Sequence, residues 1–216
     1  MLLATDKGVI ALTTAIDMTP SDARQRVLDV AEELFMRRGY YSITLRDVAD
    51  ALEMRQASLY YHFPEGKEQL FVAVATRTFE RHRQGMTAAM AATPPDVSAQ
   101  LYAIAGWFAS QPPLNLLAMM HADIQALTPT QRQHLGRVAY EAMFTPLREL
   151  FLAAQRRGEI RPMMPDLLAG SFLTLLDGLN HAVRQPGAPP REVMVAEILT
   201  ILLDGIRLAP APAQSL

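Results

Sequence analysis

Apolar residues recur at three- and four-residue intervals through nearly all of this 216-residue chain, and no run of four or more alternates as a half-buried strand does. That pattern confines the chain to an all-α fold. Val27, Val30, Ala31, Leu34 and Phe35 fall on one face of a first helix. It opens with Thr19 as a cap, Pro20 in the first turn and Asp22 completing an approximate capping box. Arg37 and Arg38 suit its negative end, and Gly39 supplies the left-handed residue that stops it. Thr44 and Asp47 then open a short second helix, with Leu45, Val48, Ala49 and Leu52 on its inner face. A break at Glu53 and Met54 leads to a third short helix from Gln56 to about Tyr61, with Leu59 and Phe63 pointing inward before Pro64 and Gly66.

Two short helices joined by a tight turn behind a longer one predict a helix-turn-helix. A duplex reader must bring hydrogen-bonding groups to base edges while its neighbours grip phosphates. Arg55, Gln56, Ser58, Tyr60, Tyr61 and His62 are of the right types and lie close together. Arg55 has the fork that suits guanine, and Gln56 the amide that suits adenine. Lys67 opens the fourth helix, where its charge adds to free N–H groups and the positive end of the helix dipole.

The run Ile43-Thr44-Leu45-Arg46-Asp47-Val48-Ala49-Asp50-Ala51-Leu52, with Leu59-Tyr60-Tyr61-His62-Phe63 and Lys67-Glu68-Gln69-Leu70, resembles the DNA-binding module of TetR-family transcriptional regulators. The resemblance covers about residues 20 to 70. Beyond it, only length, helical layout and phrases such as Gly158-Glu159-Ile160-Arg161-Pro162 and Leu176-Asp177-Gly178-Leu179 are similar. It implies phosphate contacts from Thr44, Tyr60, His62 and Lys67, and base reading at Arg55, Gln56 and Ala57. It also implies a homodimer on a palindromic operator, acting as a repressor that a small apolar ligand releases. Two positions depart from the family pattern: Glu53 stands where glycine is common, and Arg55 where a small hydroxyl residue is common. Glutamate does not tolerate positive φ as glycine does, so Glu53 is expected to strain the turn.

The expected organisation is an extension over 1–18, the helix-turn-helix domain over 19–66, a helical effector-binding and dimerisation domain over 67–208, and a disordered tail over 209–216. About nine helices are expected. After a long fourth helix from Lys67 to about Ala92, the body is read as helices near 97–110, 114–126, 129–157, 166–184 and 190–207. The last of these is apolar around nearly its whole circumference, too much for a helix with one wet side. With its predecessor it is expected to pair with a second copy, through Phe172, Leu176, Leu179, Ile198, Leu202 and Ile206. Trp107, Phe108, Met119, Met120, Met143, Phe144, Phe151 and Phe172 are candidates to line an apolar effector cavity. His121, Asp123, Asn180 and His181 are candidate polar contacts in it. For any single residue of the apolar set, ordinary core packing is the stronger reading.

Composition removes other functions. The chain has no cysteine, which excludes disulfides, thiolate metal sites and cysteine nucleophiles, and a reducing cytoplasm is the expected location. The uncharged run Val97 to Ala122 contains Pro112-Pro113 and several polar residues, so two soluble helices are expected there rather than a membrane span. Met18 precedes a strong helix start, so residues 1–17 are expected to be a frayed extension or to follow a misassigned start. No two of the five histidines are four residues apart, and there is no zincin motif or phosphate loop, so neither enzyme nor cofactor nor metal is expected. Residues 21–84 carry ten basic and ten acidic residues, so bulk charge does not decide for DNA. The alternative left open is a helical small-molecule carrier or interaction module that does not use its helix-turn-helix.

Overall fold

The computed structural model describes residues 20–112, 123–183 and 185–207. Over these the chain is all-α, with nine α-helices among the described residues and one isolated bridge, Ile160 to Arg207. Helix α1 (Pro20–Arg38), α2 (Leu45–Ala51) and α3 (Gln56–His62) form the N-terminal head. Gly39, at φ 74°, ends α1 as its position predicts. The α2 cap is reciprocal: Asp47 N donates to Thr44 Oγ1 at 3.2 Å, and Thr44 N donates to Asp47 Oδ2 at 2.7 Å. Val27, Ala31, Phe35, Leu45, Val48, Ala49, Leu59 and Phe63 close the head's core, as the periodicity predicts.

Helix α4 (Lys67–Ala91) runs from the head into the body. Its buried face carries Leu70, Phe71, Val74, Ala75, Phe79, His82 and Met86, packing α1 at one end and α5 (Val97–Ser110) further along. Opposite charges bind α1 to it. Arg77 reaches Asp29 and Glu32, each at 2.6 Å, and Arg81 reaches Glu32 at 2.5 Å. A second staple crosses from the body, where Asp123 Oδ1 accepts from the Tyr40 backbone N–H at 3.0 Å.

The expected helix over 129–157 is divided. Helix α6 (Pro129–Ala139), capped by Thr128, passes through a π-helical turn (Tyr140–Phe144) into α7 (Thr145–Arg156). Pro146 explains the division: it has no N–H for the Ala142 carbonyl, and its ring crowds that carbonyl. The chain widens its register just before the proline, with Thr145 N donating to Tyr140 O. Of the expected helix over 114–126, only Asp123 to Ala126 is described, with a 3₁₀ turn at Ile124–Ala126.

Helices α8 (Pro165–Ala182) and α9 (Arg191–Ile206) complete the body. The Gly158-Glu159-Ile160 phrase joins three elements. Gly158 takes φ 73° after α7, Glu159 Oε2 accepts from Val97 N at 2.8 Å to cap α5, and buried Ile160 pairs beside the end of α9, where Arg161 N donates to Ile206 O at 2.9 Å. The stretches 1–18 and 209–216, the Thr19 cap, Met119, Met120 and His121, and the side chains of Asn180 and His181, lie outside the described residues. No described helix is long and apolar enough to cross a membrane.

Candidate nucleic-acid interface

The α2–α3 turn decides how α3 is presented. Met54 N donates to Ala49 O at 3.0 Å and Glu53 N to Asp50 O at 3.1 Å, a Schellman closure of α2. That closure needs a left-handed residue after the cap, and Glu53 supplies it at φ 53°, the one non-glycine positive φ among the described residues. Arg55 then caps α3 in an extended conformation without a side-chain bond. Its guanidinium is exposed and enters no ion pair among the described residues. Gln56, Ala57 and Ser58 are exposed beside it, and Leu59 and Phe63 turn inward to anchor the helix.

Tyr60 is 47% and Tyr61 78% exposed, large values for aromatic rings in a folded chain. Tyr60 lies beside the α3–α4 corner, its Cε1 within 3.9 Å of where a Cβ on Gly66 would fall; Gly66 holds that corner at φ 81°. The ring of half-buried His62 meets Tyr61 edge to face at 5.2 Å. Behind them Arg24 sits over the Phe63 ring at 5.0 Å.

Thr44 and Lys67 are more committed than their positions alone suggest. The Thr44 hydroxyl both caps Asp47 N and donates to Asp47 Oδ2 at 2.5 Å. The Lys67 ammonium lies 4.0 Å from the Tyr40 ring centroid and is half-buried. Burial pushes the Lys67 pKa below its ordinary value, against the opposing pull of Asp123 and Asp47. Tyr40 is thus a supporting residue that the sequence pattern did not single out; its signal was an aromatic next to the glycine stop of α1.

In the body, Trp107 and Phe108 are half-buried on α5 and pack edge to face on each other at 5.4 Å. Met143, Phe151 and Phe172 are fully buried core, and Phe144 is half-buried, stacked on Tyr140 at 5.7 Å. Asp123, read as a candidate polar contact of the cavity, instead receives the Tyr40 N–H at the head. His82 was not singled out at all, yet it is fully buried, 5.0 Å from Trp107 and 5.2 Å from Phe108. A histidine within the apolar stripe of α4 was the available signal.

Residues 27–74 match the family model described as bacterial regulatory proteins, tetR family. The chain is 31% identical over 196 residues to the HTH-type transcriptional repressor KstR2 of Rhodococcus jostii (strain RHA1), covering 86% of this chain and 92% of that protein. This chain belongs to the TetR family. The HTH-type transcriptional regulator LmrA of Bacillus subtilis (strain 168) is 37% identical over 75 residues, 35% of this chain, and the match spans only 40% of LmrA's own length. Among solved structures, that of AibR in complex with isovaleryl coenzyme A and operator DNA is similar in fold, with a TM-score of 0.70 at 22% identity over 83% of this chain and 97% of that one.

This TetR-family chain has a second open surface on α8 and α9. Of the residues expected there, Phe172, Leu176, Leu179 and Ile206 are buried within the single chain, whereas Ile198 and Leu202 are half-buried. Beside those two lie Leu167, 56% exposed, and Ile201, 73% exposed. They border a mainly apolar groove of about 310 Å³ whose other walls include Met163, Leu175 and Gly205.

Proposed function

We propose that the protein is a sequence-specific transcriptional repressor that binds a palindromic operator as a homodimer and is released by a small apolar ligand. The observation that carries the DNA-reading part is the outward face of α3. Arg55, Gln56, Ala57, Ser58, Tyr60 and Tyr61 are all exposed, while Leu59 and Phe63 hold the helix from behind. Arg55 and Gln56 read base edges; Tyr60, His62, Thr44 and Lys67 set the register on phosphates. One such helix reads few base pairs, so selectivity requires two heads spaced about one helical turn, about 34 Å. The exposed apolar side chains of α8 and α9 give a second copy something to bury.

Release follows if the ligand binds one head separation more tightly than the other. Helix α4 is the mechanical link, because α1 is bound to it through Glu32, Arg77 and Arg81. The repressor description of KstR2 and the operator-bound state of AibR support this reading.

The test is selection of genomic fragments by the purified full chain, followed by mobility shifts on the recovered site. A preferred palindrome that withstands excess random DNA is the expected result. Arg55→Ala should lower affinity for that site by about tenfold or more and relax its preference, whereas Lys67→Ala should weaken all sequences alike and flatten the salt dependence. Recovery of no preferred site, or two variants that bind as the parent does, would overturn the assignment.

A further inference from the structure

His82 is wholly buried on α4, and its imidazole has one nitrogen in use. Nδ1 lies 2.7 Å from the Thr78 carbonyl oxygen, four residues back. A carbonyl only accepts, so Nδ1 carries the proton and Nε2 is left as a bare lone pair. No group meets Nε2. Burial presses the ring's pKa down to about 4, with the nearby Arg81 charge acting the same way and the Thr78 bond and Glu32 opposing, so the ring is neutral near pH 7. A buried acceptor without a donor is costly and uncommon in a folded protein.

The surroundings are aromatic. Trp107 meets the His82 ring edge to face at 5.0 Å, and Phe108 lies at 5.2 Å. Trp107 rests directly on Gly85, where a Cβ would fall 1.9 Å from its Cε2. The indole is half-buried, so part of it faces outward where the α4–α5 seam covers His82.

We propose that His82 Nε2 is the polar anchor of a small-molecule site between α4 and α5, roofed by Trp107 and walled by Phe108, that takes a neutral aromatic compound bearing a hydroxyl donor. This names a ligand class for the release step above, but binding itself does not depend on that step. The fixed tautomer sets the selectivity. A phenolic O–H satisfies Nε2, a methyl group leaves it unpaired, and a carboxylate sets its own lone pairs against that of the ring. The ring of the ligand takes over the edge and face contacts that Trp107 and Phe108 now share with His82.

Trp107 is the chain's one tryptophan, so its fluorescence reports the site directly. The full-length protein is titrated with phenol, with toluene as the shape-matched compound lacking the donor, and with benzoate as the anion. The expected result is a saturable change with phenol at about tenfold lower concentration than with toluene, and none with benzoate. His82→Leu should bring phenol and toluene within twofold of each other. Should that variant fail to fold, nitrogen NMR of the ¹⁵N-histidine-labelled parent reads the same contact, as a shift of the His82 Nε2 resonance with phenol and not with toluene.

The site is overturned if phenol and toluene bind the parent equally, if benzoate binds best, or if no probe gives a saturable change. Operator binding is measured separately. Phenol that binds at Trp107 but leaves operator affinity unchanged counts against ligand release and leaves the site standing. Intact operator recognition without phenol binding counts against the site alone.

Discussion

Glu53 shows a single side chain working against its backbone. The hydrogen bonds that close α2 demand a left-handed residue, and an L-residue other than glycine pays about 1–2 kcal/mol there. Glu53→Gly relieves that strain but frees the unfolded chain, so the expected net gain is about 0.5–1 kcal/mol. A urea midpoint that rises with an unchanged slope is the measurement; a fall would mean that Glu53 makes a compensating contact. His82 gives the opposite kind of cost, one that depends on pH. Its folded pKa is depressed from 6.5 to about 4, so between those values the unfolded chain binds more protons than the folded one. Stability is therefore fully present above about pH 6.5 and falls as pH drops toward 4, by on the order of 3 kcal/mol at most. Burial raises the pKa of Glu32, but hydrogen bonds from Arg81 and Arg77 and their charges outweigh it and leave the carboxyl lowered; it adds its own loss below its ordinary 4.5. Denaturant midpoints of the parent and His82→Leu between pH 7 and 5 separate the two, since the variant should lose most of the slope in that window.

The seam between α4 and α5 is the element most sensitive to one added carbon. Trp107 occupies the space that any side chain on residue 85 would need. Gly85→Ala gains helix propensity of up to about 1 kcal/mol yet must evict the indole, so a net loss of about 1–3 kcal/mol is expected, with a red-shifted Trp107 emission. An unshifted spectrum with raised stability would show that the seam relaxes freely. Much at this level was legible beforehand: the capping pair at Thr44, the stop at Gly39, and the apolar stripes of α1 and α2 are local signals, read within a few residues. The seam was not, because Gly85 and Trp107 lie on different helices and neither is unusual in its own. The same holds for Glu32, whose Arg77 and Arg81 partners stand 45 and 49 residues away. Pro146 was visible as a residue, but an uninterrupted apolar period masked its effect on the helix around it. On the proposed DNA face, the exposure of Arg55 to Ser58 follows from helical phase, whereas the seating of Lys67 on Tyr40 depends on how α4 meets the α1–α2 link.

At the scale of the whole molecule, the apolar circumference of α9 divides into two uses that composition alone could not separate. Leu199, Leu203 and Ile206 are spent on the chain's own core, while Val193 and Ile201 face outward. With Leu167 and Met164 on the neighbouring face, an isolated chain would leave an apolar strip in water beside the groove between α8 and α9. In the dimer proposed above, the same strip of a second copy covers it by an isologous contact, and two α3 helices reach one duplex. Ile201 is the most exposed of these aliphatic side chains at 73%, so its replacement barely touches the monomer's packing. Ile201→Asp should therefore leave unfolding stability within about 0.5 kcal/mol at concentrations where the parent is monomeric. In the proposed dimer it puts a carboxylate from each copy into the covered apolar strip, a desolvation cost of several kcal/mol. Light scattering should give the mass of one chain where the parent gives that of two, and operator affinity should fall by about a hundredfold or more because only one half-site is engaged at a time. The salt dependence discriminates further: a lone head contacts fewer phosphates, so its slope should drop to roughly half that of the parent. A variant that stays dimeric, or a monomer that keeps the parent's affinity and slope, would mean that the two heads are joined elsewhere or that one suffices.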